Sequence, residues 1–160
     1  MRKIFFALTI LICLSSLVLA EEKTTLSKII GWPILVLLVF WDAFITFRAG
    51  GEGNPLLRPI VNYFGLHALW ILAILALGLF YLLVKYVGKY TQKYEGYSQG
   101  EEIVLTNLVI AFATYDFYIT FLLPYFGYLG SRYHYAIIPV LIVPILIYNF
   151  WLEYRKRKKN

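Results

Sequence analysis

Charge is scarce in this chain. Asp, Glu, Lys and Arg together make up 15% of its 160 residues, against about 25% in an ordinary soluble domain. There is one cysteine, Cys13, so neither a disulfide nor a cysteine-rich metal site can form within one chain. The two histidines, His67 and His134, stand far apart without metal-ligand spacing and read as interfacial residues. No Gly-x-Ser-x-Gly, His-Glu-x-x-His or phosphate-cradling glycine loop occurs, which leaves the common hydrolase, zinc-protease and nucleotide-binding signatures without a carrier. The run Gly50-Gly51-x-Gly53 lacks the strand and helix context of a nucleotide loop.

What fills the chain instead is apolar. Hydrophobic residues amount to 61%, and the mean hydropathy is +0.70. They gather into blocks over 4–20, 29–47, 66–87, 103–123 and 135–152. The last four reach the roughly 18–20 residues that a helix needs to cross the hydrocarbon. The expected fold is all-α: an integral membrane helical bundle with spans at about 29–48, 66–87, 103–123 and 135–152. Residues 21–160 form a single helical membrane domain, with no stretch left for a soluble one. The expected location is the cell membrane, multi-pass. Abundant Tyr, Phe and Trp supply interfacial belts.

Residues 1–20 carry two readings. Met1-Arg2-Lys3, an apolar run and Val18-Leu19-Ala20 before Glu21-Glu22 resemble a secretory signal peptide. The same segment also reads as an uncleaved first transmembrane helix. With five retained helices, ten of the 15 Lys and Arg residues fall on the C-terminal side of the membrane. The positive-inside rule then puts the C-terminus in the cytoplasm. A cleaved signal would turn the tail the other way, so the two cues conflict.

The net charge of +6 is concentrated. Arg155-Lys156-Arg157-Lys158-Lys159 closes the chain, and Lys85, Lys89 and Lys93 recur at helical spacing. A basic cluster beside a spanning helix points to topology or anionic lipid rather than nucleic acid. Lys85, Lys89, Lys93, Arg155, Lys156 and Arg157 are therefore lipid-contact candidates. The neighbouring stripe Tyr86, Tyr90 and Tyr94 is expected to face inward while the lysines reach toward phosphates. Pro139 and Pro144 are expected to kink the last span.

The residues most out of place are two aspartates. Asp42 is the only charged residue between 29 and 47; Asp116 and Arg132 are the only ones between 103 and 152. An ionisable group at membrane depth costs at least a few kcal/mol and is a functional candidate by default. Val39 to Phe47 aligns with Ala113 to Phe121 at a constant offset, sharing Asp-x-x-Ile-Thr-Phe. This reads as a parallel repeat placing both aspartates on one side of the membrane, each about 12 Å below its helix end. Thr46 and Thr120, four residues on, are expected to donate to Asp42 and Asp116. The two carboxylates are expected to face each other. Such a pair needs a shared proton, a cation or an arginine, and Arg48, Arg58 and Arg132 lie on that side. Glu52 and Asn54 fall near the mouth, Asn54 as the cap of a short helix begun by Pro55.

Asp42, Thr46, Glu52, Asn54 and Pro55, in that order, resemble the signature of a family of small bacterial and archaeal membrane proteins of unknown function. The resemblance covers roughly 35–87 and implies a helical membrane domain without an established activity. The second repeat departs from it: Thr120 is followed by Pro124-Tyr-Phe-Gly. Three functions are compatible with these residues. The first is a non-enzymatic membrane component whose Asp/Thr motifs organise helix contacts or bind another membrane protein or a second copy. The second is a small transporter binding a proton or a cation such as Na⁺, Mg²⁺ or Ca²⁺ through Asp42, Thr46, Glu52, Asn54, Asp116 and Thr120. The third is a metal-dependent enzyme acting on lipid headgroups.

Overall fold

A computed structural model describes residues 25–52, 54, 56–122 and 137–159. Among them the chain is helical throughout. It forms α1 (Lys28–Ala49), the short α2 (Arg58–Phe64), α3 (Ala68–Glu95), α4 (Gly100–Phe117) and α5 (Ile137–Lys159). A π-helical turn, Tyr118–Leu122, extends α4. α1, α3, and α4 with its extension are long and apolar enough to cross a membrane. Residues 1–20, with their two readings, lie outside the described residues.

The helix ends follow from local chemistry. Gly50 at φ 74° and Gly96 at φ 71° close α1 and α3 in the left-handed conformation, which glycine adopts without the penalty a Cβ brings. α5 runs unbroken through Pro144. Pro139 falls in its first turn, where the missing N–H has no intrahelical partner to lose.

α4 is the hub, packing against α1, α3 and α5. Leu35 of α1 and Leu105 of α4 are fully buried at this centre. α1 and α4 run parallel. At their starts Thr25 donates its hydroxyl proton to Gln99 Oε1 at 2.9 Å, Leu26 N–H donates to Thr106 Oγ1 at 2.9 Å, and Lys28 pairs with Glu101 at 2.6 Å. Thr25 and Gln99 are 74 positions apart, the separation of the two aspartates. α1 and α4, which carry the aligned segments, pack side by side.

α3 and α4 form an antiparallel hairpin around a close crossing of Gly88 and Gly100. A Cβ at Gly88 would stand 2.6 Å from Glu101 Cα. This crossing decides the orientation of α3. Val84, Gly88 and Thr91 are buried, so Tyr86, Tyr90 and Tyr94 project outward, at 70%, 58% and 64% exposure. The expectation of inward tyrosines is thus corrected. At 100° per residue Tyr86 stands about 200° from Val84, on the opposite face. Lys85, next to Val84, turns to Glu101 at 3.3 Å.

Candidate functional site

The C-terminal half of α1, the Glu52–Asn54 turn, the first half of α3 and the end of α4 enclose a cavity of about 540 Å³. Its polar wall is Asp42, Thr46, Glu52, Asn54 and Tyr115. Its apolar wall includes Val39, Leu72, Ala76, Leu79 and Phe112, with Leu141 from α5. The size lies within the range of small-molecule pockets, about 300–1,000 Å³.

The turn after α1 is held by its own side chains. Asn54 N–H donates to Glu52 Oε1 at 2.6 Å, and Leu56 N–H donates to Asn54 Oδ1 at 3.0 Å. The Asn54 carbonyl accepts from the N–H groups of Leu57 and Arg58. Asn54 thus starts a helical turn as a capping residue does. Arg58 Nε donates to the Glu52 carbonyl at 3.1 Å. The sequence Glu-x-Asn sets both side chains in the cavity wall before any ligand arrives.

Asp42 reaches the cavity from α1 and lies within electrostatic range of Glu52 and Asp116. Tyr115 is in range of all three carboxylates. Asp116 itself has no exposed surface. Neither of its oxygens, nor Thr120 Oγ1, has a hydrogen-bond partner among the described residues. The expected Thr120–Asp116 hydrogen bond is therefore absent. The cause is the π-helical turn: i→i+5 bonding widens the turn and takes the fourth residue out of line with the first. Such turns are frequent at functional sites.

Two arginines near this end have partners of their own. Arg48 lies over the Phe44 ring at 5.4 Å, and Arg58 is engaged by the Glu52 carbonyl. Arg132 lies outside the described residues. Among the described residues the ion pairs involve Glu101 and Glu153, both at the opposite end, and none involves Asp42 or Asp116. No three His, Cys, Asp or Glu side chains among the described residues gather as a metal ion requires.

The opposite end is the basic one. Tyr97 donates its hydroxyl proton to Glu153 Oε2 at 2.8 Å, and Lys156 lies over the Tyr97 ring at 4.2 Å while donating to the Glu95 carbonyl. Burial, then the Glu153 hydrogen bond, push the Tyr97 phenol up to about 12. The Tyr97 hydrogen bond, then Arg157, hold the Glu153 carboxyl below its ordinary value. Of the lipid-contact candidates, Lys85, Lys156 and Arg157 are engaged by protein groups. Lys89, Lys93, Arg155 and Arg157 are exposed, with Lys93 over Tyr94 and Arg155 over Trp151.

Sequence reasoning passed over four residues. Asn107 and Asn149 exchange side-chain amide hydrogen bonds between α4 and α5 at 3.0 and 3.3 Å. Their signal was two lone amides inside apolar runs. Glu101 is buried between two lysines, and Tyr115 immediately precedes an aspartate already singled out. No family model, curated protein or solved structure matches the chain.

Proposed function

We propose that this chain is a non-enzymatic multi-pass protein of the cell membrane that binds a cation, inorganic or organic, at the Asp42 end of its cavity. In this reading α5 is the fourth span and the basic tail is cytoplasmic. The observation that carries the proposal is the acidic polar wall at membrane depth. Asp42 and Glu52 sit with the oxygens of Thr46, Asn54 and Tyr115, and among the described residues no basic side chain pairs with Asp42. Carboxylates removed from water need a counter-charge, a proton or hydrogen-bond donors. A cationic ligand supplies this, and Asp116 lies buried beside Asp42 without a hydrogen-bond partner among the described residues.

A second reading keeps the Asp/Thr segments as devices for helix or partner contacts. It is favoured by the packing of α1 against α4, the two helices that carry these segments. The metal-dependent enzyme has no such support, since the described residues gather no three-ligand set. The resemblance to the bacterial and archaeal family stays a proposal, resting on Asp42, Thr46, Glu52, Asn54 and Pro55.

Titration calorimetry on purified protein in nanodiscs tests the binding reading. Na⁺, Mg²⁺, Ca²⁺ and butylammonium chlorides are titrated into the wild type and Asp42→Asn. Saturable binding of at least one cation, lost in Asp42→Asn, supports it. Absence of binding by all four overturns it and leaves the contact reading.

A further inference from the structure

The cavity is amphipathic, and its two halves are segregated. The acceptors Asp42, Thr46, Glu52 and Asn54 occupy the end near the α1–α2 turn, while Leu72, Ala76, Leu79 and Phe80 carry the wall along α3 toward mid-membrane. A site for a bare ion has no use for such a wall. The wall also continues onto the outer surface: Leu75 and Leu79 line the cavity and are 59% and 66% exposed. Both lie in a helix of membrane-spanning length, so this opening faces hydrocarbon. On α4, Ala111, Phe112 and Tyr115 line the opposite wall.

Resting on the reading that the Asp42 end binds a cation, we propose that the occupant is a cationic amphiphile. Its ammonium head is taken by Asp42 and Glu52, and its aliphatic chain lies along α3 between Leu72 and Leu79. The charge argument disfavours a free fatty acid, whose carboxylate would meet two acidic side chains with no lysine or arginine paired to Asp42 among the described residues. The apolar argument separates the ligand from a small ammonium ion, which would leave most of the cavity without contacts. The ligand enters sideways from the bilayer past Leu75 and Leu79, head last toward the Glu52–Asn54 turn. Asn54 and Thr46 add oxygen acceptors for the remaining N–H donors of a primary amine.

The test is titration calorimetry on the full chain in nanodiscs, with empty nanodiscs subtracted, using three probes. Tetradecylammonium has head and tail, butylammonium has the head with little tail, and tetradecanoate has the tail with the opposite charge. Tetradecylammonium is expected to bind about tenfold or more tightly than either other probe. Asp42→Asn should weaken it about tenfold or more. Ala76→Trp, which fills the apolar half, should weaken tetradecylammonium more than butylammonium, and a wild-type far-ultraviolet circular dichroism spectrum shows that the variant is folded. Butylammonium binding as tightly as tetradecylammonium, or Ala76→Trp without effect, overturns the amphiphile while the cation reading stands. Tetradecanoate binding best overturns the assigned charge. No binding by either ammonium probe, together with none by the inorganic cations, removes the cation reading itself.

Discussion

The crossing of α3 and α4 offers a sharp test, because one helix holds two glycines in opposite surroundings. At Gly88 a Cβ would stand 2.6 Å from Glu101 Cα and 2.8 Å from its backbone nitrogen. Carbon contacts settle at about 3.5–4.0 Å, so the two helices must part by about 1 Å. The obstacle is backbone, which cannot rotate away. Overpacking of this kind costs about 1–3 kcal/mol, and a backbone obstacle places Gly88→Ala in the upper half of that range. Alanine returns up to about 1 kcal/mol of helix propensity, leaving a net loss of about 1–2 kcal/mol. At Gly78 nothing lies within 4 Å of the added carbon, so Gly78→Ala shows only the propensity gain. The two substitutions should differ by about 2–3 kcal/mol and have opposite signs. Unfolding by sodium dodecyl sulfate in mixed micelles, followed by far-ultraviolet circular dichroism, measures both. If Gly88→Ala proves as stable as Gly78→Ala, the close crossing does not hold the hairpin, and the account of why the tyrosines face outward falls with it.

Four further outcomes follow from the same structure. Glu101→Gln should destabilise by about 1–2 kcal/mol in the same assay, between an exposed and a buried ion pair, because Lys28 and Lys85 are half-exposed; an unchanged midpoint would mean the pairs are idle. Replacing Asn107 and Asn149 by leucine, singly and together, should give a coupling of about 0.5–1.5 kcal/mol, whereas additive losses would show that the amides do not act as a pair. Because the Tyr97 phenol lies above its ordinary value of 10.0, at about 12, its contribution is complete below pH 10.0 and is lost as pH rises toward 12; Tyr97→Phe should flatten that alkaline fall in thermal stability, and a fall identical to wild type would refute it. A cysteine at Asn160 in a Cys13→Ser background should resist a membrane-impermeant maleimide in intact cells, and rapid labelling would place the tail outside.

Much of the architecture was legible in the residues. Apolar runs placed α1, α3, α4 and α5 because burial of backbone polar groups in hydrocarbon leaves a helix as the only open-ended solution. Asn54 marked the turn before α2 for a local reason, since a side-chain oxygen two residues before a free N–H finds it without tertiary help; α2 itself begins later than expected, at Arg58, with Leu57 at its cap and Pro59 in its first turn. The shared Asp-x-x-Ile-Thr-Phe marked two segments on helices that pack against each other, α1 and α4.

What the tertiary structure alone decided is rotation and proximity. Hydropathy is nearly uniform around a membrane helix, so it does not say which face meets protein and which meets lipid. On α3 that choice came from Gly88 admitting the α4 backbone, and it turned Tyr86, Tyr90 and Tyr94 outward and Lys85 toward Glu101. At the end of α4 a π-helical turn separated Thr120 from Asp116, a change of pitch that i, i+4 spacing cannot reveal. The cavity is likewise a product of assembly: Asp42, Glu52 and Tyr115 come from three segments, and a void exists only where helices fail to fill the space between them. The chain by itself determined that it enters the membrane with carboxylates aboard. Only the packing of α1, α3 and α4 decided that one of them opens on a space with room for a ligand.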